Sequence, residues 1–221
     1  MRTDDLQLRH DVEAELDWDA RLDSRQIGVA VKDGVVALSG HVSSYAERRA
    51  AEEAAQSVAG VCAVANDIVV ELPSAFCRTD AELAEAAVKS LQMHVAVPEH
   101  AIKVLVRNGW ITLDGELPLW YQKTAAESAL ASLPGVKGIS NNLSIVGRAS
   151  ASEVQNKIEQ AFRRRALLEA RDIRVRADEG TITLEGEVHS WPERQAAENA
   201  AWQAPGVSQV IDNLHVRPRS L

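Results

Sequence analysis

Six arginines crowd the last third of the chain: Arg163, Arg164 and Arg165 in one run, then Arg171, Arg174 and Arg176. A guanidinium is planar and always charged, and its paired N–H donors match two phosphate oxygens at once. Arginines gathered this way suit a phosphate, and the headgroup of a phospholipid is a phosphate that a protein surface can meet. A plainer use exists as well. Cations in the last turn of a helix offset the partial negative charge of its open carbonyls.

Other residue types that could do chemistry do not converge. His94 and His100 are separated by six positions, and His41 and His189 fall at unrelated places. A transition-metal site needs three or four convergent ligands, so no metal ligands are assigned. Cys62 and Cys77 lack zinc spacing and read as isolated thiols, not as a disulfide frame. No glycine-rich phosphate loop and no G-x-S-x-G motif is present. Ser39 precedes Gly40 within a strand pattern, and its counterparts Asp114 and Glu185 are not nucleophiles of the same kind. The expectation is a binding protein with no catalytic residues and no cofactor. An ion held by backbone carbonyls would leave little trace in such a reading.

Charge narrows the partners. The chain carries a net −8. Residues 1–73 hold 7 Lys+Arg against 14 Asp+Glu, residues 74–150 hold 7 against 7, and residues 151–221 hold 10 against 11. The acidity therefore belongs to the first third, which argues against nucleic acid as a partner and against anionic lipid for that third. Within it, Asp11, Glu13, Glu15, Asp17 and Asp19 spread around a helix as a solvated face or as a docking surface for a basic partner. Apolar runs are too short to cross a bilayer, and the first residues, MRTDDLQLRHDVEAEL, contain no apolar leader core. On these grounds the chain is expected to be cytoplasmic.

The elements that must position these residues come in three copies. VALSGHV at 36–42 returns as WITLDGEL at 110–117 and as TITLEGEV at 181–188. Gly40, Gly115 and Gly186 mark the register. Six residues before each stands Gly34, Gly109 or Gly180, and twenty after each stands Gly60, Gly135 or Gly206. Five residues after each is an aromatic: Tyr45, Trp120 or Trp191. Four positions in fixed register, three times over, mean duplication.

Each unit reads as α-β-β-α-β. Val154, Ile158 and Phe162 form one apolar stripe on a first helix, and Leu8, Val12 and Leu16 match them. Ile27, Val29 and Val31 alternate up to an Asp33-Gly34 turn, and Val36 and Leu38 alternate back. A second helix follows, as in AERRAAEEAAQSV, and Gly60, Gly135 and Gly206 are expected to end it as left-handed caps. The fold class is therefore α+β, with three tandem units. Each is a three-stranded mixed sheet carrying two helices on one face. The expected domains are 1–73, 78–147 and 149–218.

These units resemble the BON domain, the bacterial osmotic-shock and nodulation domain. The likeness rests on the hairpins VAVKDGVVALSGHV, VLVRNGWITLDGEL and VRADEGTITLEGEV. It rests equally on the endings AQSVAGVCAVANDIVV, LASLPGVKGISNNLSI and WQAPGVSQVIDNLHV. The third copy departs from the pattern at Glu179, where the others have Asp or Asn, and at Asp212, where they have Asn. The resemblance implies a non-enzymatic protein that associates with phospholipid membranes and serves envelope or osmotic stress. Some family members bind potassium, and many relatives are periplasmic. A protein-interaction module, working with a partner protein or as a homo-oligomer, is the alternative.

The strand alternation also says which residues face away from the helices. In the first unit these are Gly28, Ala30, Val35, Ala37 and Val69, all small or apolar. A bare apolar face is normally covered, so Ala30, Val35 and Ala37 are expected to pack on another copy or another subunit. Trp110 on the second unit's open face is the best single contact residue, or a cover for a neighbouring unit.

Overall fold

The computed structural model describes residues 3–94, 101–146, 151–164, 173–178, 180–204 and 206–217. The first unit comprises α1 (Thr3–Trp18), β1 (Ile27–Lys32), β2 (Val35–Val42), α2 (Tyr45–Ser57) and β3 (Ala63–Val70). The second comprises α3 (Asp80–Met93), β4 (Ile102–Arg107), β5 (Trp110–Leu117), α4 (Trp120–Ala131) and β6 (Gly138–Ile145). The third comprises α5 (Ala151–Arg164), β7 (Ile173–Asp178), β8 (Thr181–Val188), α6 (Trp191–Trp202) and β9 (Gln209–Val216). In every unit the middle strand pairs antiparallel with the strand before it and parallel with the strand after it.

The parallel pairing follows from the chain's path. After the hairpin, the second helix carries the chain back across one sheet face, so the last strand starts from the same end as the middle one. Each helix pair meets the inward residues of its own sheet. In the first unit Leu8, Val12 and Leu16 of α1 close on Val36, Leu38 and Ile68. In the third, Val154, Ile158 and Phe162 of α5 close on Ile182, Leu184 and Leu214. The stripes read from sequence are thus the cores. Each fully buried Val, Leu or Ile contributes about 1.5–3 kcal/mol by leaving water.

Three glycine positions per unit have three distinct causes. Asp33 and Gly34 have φ of 50° and 78°, and Asn108 and Gly109 have 53° and 79°. Two successive positive values make the hairpin turn whose twist suits the strands. Gly40, Gly115 and Gly186 sit inside strands at φ of 112°, 150° and 135°. A Cβ at Gly40 would overlap the carbonyl oxygen of Gln26, and one at Gly115 that of Ala101. The third set corrects the sequence expectation in detail. Gly60, Gly135 and Gly206 do take positive φ, at 95°, 100° and 85°. However, α2, α4 and α6 have already ended at Ser57, Ala131 and Trp202. The glycines serve a separate turn, closed by Val61 N–H to Val58 O at 3.4 Å and its equivalents. That turn drops Val61, Val136 and Val207 into the three cores.

Polar brackets complete each unit. Asn66 donates through Nδ2 to Glu52 Oε2 at 3.0 Å and accepts from Ile68 N–H at 3.2 Å, tying α2 to β3. Asn141 does the same with Glu127 and Leu143. Asp212 replaces it with an ion pair, receiving Arg194 Nε at 2.7 Å. A second bracket joins the first helix to the hairpin turn in the first two units, through Asp5 and Asp80. Asp80 accepts the backbone N–H groups of Asn108 (2.7 Å) and Gly109 (2.9 Å), which hold its carboxyl below the usual range.

Two outcomes follow. Gly40→Ala should cost about 2 kcal/mol or more in thermal or urea unfolding, because alanine meets both the left-handed backbone and the Gln26 carbonyl. The Asp80 carboxylate is lowered in the fold, so its contribution is present above the unfolded carboxylate pKa and fades as pH falls through the folded one. Asp80→Ala should therefore lower the melting temperature at neutral pH, and the two proteins should converge in acid.

Candidate functional site

The third unit's arginines are only partly brought together. Arg164 is exposed at the end of α5, and Arg174 and Arg176 are exposed on β7. Arg174 and Arg176 share a recess of about 380 Å³ with Glu159 and Gln155 of α5, which Arg164 does not line. Arg176 also lies 3.6 Å from Glu185 in an exposed ion pair. Such a pair is weak and easily exchanged. Arg163 lies on α5, whose backbone alone is described there, and Arg165 and Arg171 fall outside the described residues.

Among the described residues, the open face of the first unit is left largely exposed. Ala30 is exposed, Ala37 is half-buried, and Val35 and Val69 are 43% and 52% exposed. Packing of this face on another copy within the chain is therefore not what the structure shows. The second helix that carries Tyr45 into the second unit lies on the other side of this sheet, and Val69, at the β3 edge of the open face, borders the groove beside the second unit.

That junction gives the repeated aromatic its role. Tyr45 of α2 packs against the core of the second unit. Trp120 of α4 stacks on Trp202 of α6 in the third unit, with centroids 5.9 Å apart and planes 9° from parallel. Trp191 of α6 packs against the core of the first unit. Each second helix thus contacts the next unit, and the contacts run in cyclic order. Arg49 of α2 reaches Glu127 of α4 at 3.8 Å along the same seam. Burial there pushes the Tyr45 phenol above its ordinary range, with the Glu127 charge adding to the effect.

Joining the units also creates a groove of about 630 Å³ between the first two. Arg48 and Val69 line it from the first unit; Leu105, Arg107, Trp110 and Lys137 line it from the second. Trp110 lies over Gly138, where no Cβ would fit, and donates from its indole to Ser140 Oγ at 2.8 Å. Its polar edge is thereby satisfied, and the ring is 42% exposed. Sequence reasoning singled out Trp110 but missed the three cations. Arg48 recurs in register as Lys123 and Arg194, so it reads as part of the repeat, whereas Arg107 and Lys137 belong to the second unit and meet Arg48 only across the groove.

Among the described residues, no group of three His, Cys, Asp or Glu side chains converges as a metal site would require. Cys62 is half-buried and Cys77 exposed, both as free thiols. Among the described residues, no helix is long and apolar enough to cross a membrane.

Three tandem α-β-β-α-β units with this glycine register define the class, and comparison with known proteins agrees. The BON domain family model matches residues 4–71, 79–147 and 150–218. The chain belongs to the BON domain family. It is 30% identical over 145 residues to Osmotically-inducible protein Y of Escherichia coli (strain K12), covering 63% of this chain and 72% of that protein. Among solved structures, CdsD, a structural protein of the type III secretion system of Chlamydia trachomatis, is 15% identical. It aligns over 97% of this chain and 94% of that chain with a TM-score of 0.27, a likeness too slight to argue from.

The seam is measurable. A double-mutant cycle between Trp120→Ala and Trp202→Ala, read by urea unfolding, should give a coupling of about 0.5–1.5 kcal/mol. A coupling near zero would mean that the stacked pair does not join the second and third units.

Proposed function

We propose that this is a non-enzymatic protein of osmotic or envelope stress that binds anionic phospholipid surfaces. The stress assignment is supported by the likeness to Osmotically-inducible protein Y, whose name states how that protein is induced. The binding assignment rests on one observation: Arg164, Arg174 and Arg176 of the third unit are all exposed. Guanidinium groups held at a surface engage phosphate oxygens through paired hydrogen bonds, and each basic residue near an anionic bilayer contributes about 1 kcal/mol.

A second reading is favoured by the first unit's open face. Val35 and Val69, 43% and 52% exposed, leave apolar surface open on this sheet among the described residues. A partner protein or a second copy of the chain would remove it. Sedimentation velocity over a range of concentrations tests this reading. Self-association that Val35→Lys abolishes would support it, and a monomer throughout would leave only a different partner.

Co-sedimentation with vesicles of phosphatidylcholine, with and without phosphatidylglycerol, tests the first reading. Binding should require the anionic lipid. It should also weaken as salt rises, because the screening length shrinks from about 8 Å at 0.15 M to about 3 Å at 1 M. The variant carrying Arg164→Ser, Arg174→Ser and Arg176→Ser should bind about fivefold more weakly per charge removed. No binding by the wild type to either vesicle would overturn the proposal.

A further inference from the structure

The groove between the first two units points to more than a gap left by packing. Arg48, Arg107 and Lys137 line it, and no carboxylate does so among the described residues. The wider surroundings are the opposite, since the first third of the chain is strongly acidic and the whole chain carries −8. Like charges gathered around one groove repel, and an anion settling among them relieves that repulsion. Arg48 spends one N–H on the Asn66 carbonyl at 3.2 Å, which fixes its head at the groove. Arg107 and Lys137 are exposed. Asp80 acts on Lys137 only through space and does not line the groove.

The rest of the lining is apolar and open to solvent. Leu105, Val69 and Trp110 are 55%, 52% and 42% exposed, and all three meet in this groove. The indole N–H of Trp110 is already bonded, so the residue offers a ring face and no free donor. Cations around an exposed Trp and Leu match the headgroup and upper-chain layers of a bilayer, where charge and apolar surface lie side by side.

We infer that this groove is a second lipid site, in which Arg48, Arg107 and Lys137 hold the phosphate of an anionic phospholipid while Leu105, Val69 and Trp110 contact the start of its acyl chains. The inference rests on the membrane-binding reading and assigns it a place that the third unit's arginines do not occupy. It draws on two units, because Arg48 and Val69 come from the first and Arg107, Lys137, Leu105 and Trp110 from the second.

The full-length chain is the test object. Vesicles of phosphatidylcholine with phosphatidylglycerol are titrated with wild type, with Arg107→Ser plus Lys137→Ser, and with Leu105→Ser. All three substituted residues are exposed, so unchanged melting curves should confirm that the variants fold. The charge variant should bind about fivefold more weakly per cation removed, and Leu105→Ser should also weaken binding. Inorganic phosphate should compete poorly. If both groove variants bind like wild type while the third-unit arginine variant does not, the groove is refuted and the membrane reading stands. If wild type binds no vesicle, the membrane reading fails and the groove assignment with it. If phosphate competes fully and Leu105→Ser has no effect, the groove is a simple anion site and the lipid assignment is overturned.

Discussion

Each unit has one three-stranded sheet and two helices, and so only a small core to call its own. Domains of this size bury a low fraction of their surface and are marginal when alone. The second helix answers this by facing two ways. Its alanines, such as Ala51, Ala54 and Ala55, lie against its own sheet, and its first residue is an aromatic that packs on the next unit. Tyr45, Trp120 and Trp191 occupy one repeat position and together close the three contacts into a cycle. The groove depends on that closure, because it places α2 and β3 of the first unit beside the open face of the second.

Repetition kept the backbone and released the surface. The hairpin turn, the strand glycine and the turn before the last strand recur because each needs a positive φ that side chains resist. Surfaces diverged around them. The first unit shows small apolar residues on its open face, the second shows Leu105 and Trp110, and the third shows Arg174 and Arg176. The start of the second helix diverged too. Ser44 and Ser190 cap α2 and α6 by accepting from Glu47 and Glu193, whereas Leu119 leaves α4 without a side-chain cap. Leu119 and Tyr121 are instead exposed, at 45% and 54%. One fold thereby carries three chemically different open faces, and the fold alone does not fix what each one does.

What the sequence made legible was local. Alternation, helical stripes and turn glycines are set by residues near one another in the chain, and they led directly to the strands, cores and register. The glycine near the end of the second helix reads as a helix cap in sequence, but it belongs to the separate turn that buries Val61. The aromatic was visible as a repeat, but its partner lies in another unit and leaves no periodic signal. The groove was the least legible feature. Arg48, Arg107 and Lys137 come from α2, the end of β4 and the segment before β6, and only the seam sets them around one space.

The central claim is that the aromatic seam makes three marginal units into one cooperative body. Differential scanning calorimetry of the intact chain tests it most directly. The account predicts a single transition whose calorimetric and van't Hoff enthalpies agree, and its division into separate transitions when Tyr45, Trp120 and Trp191 are changed to Ala. Separate transitions in the wild type, with the triple variant unchanged, would show that the units stand alone and contradict the account.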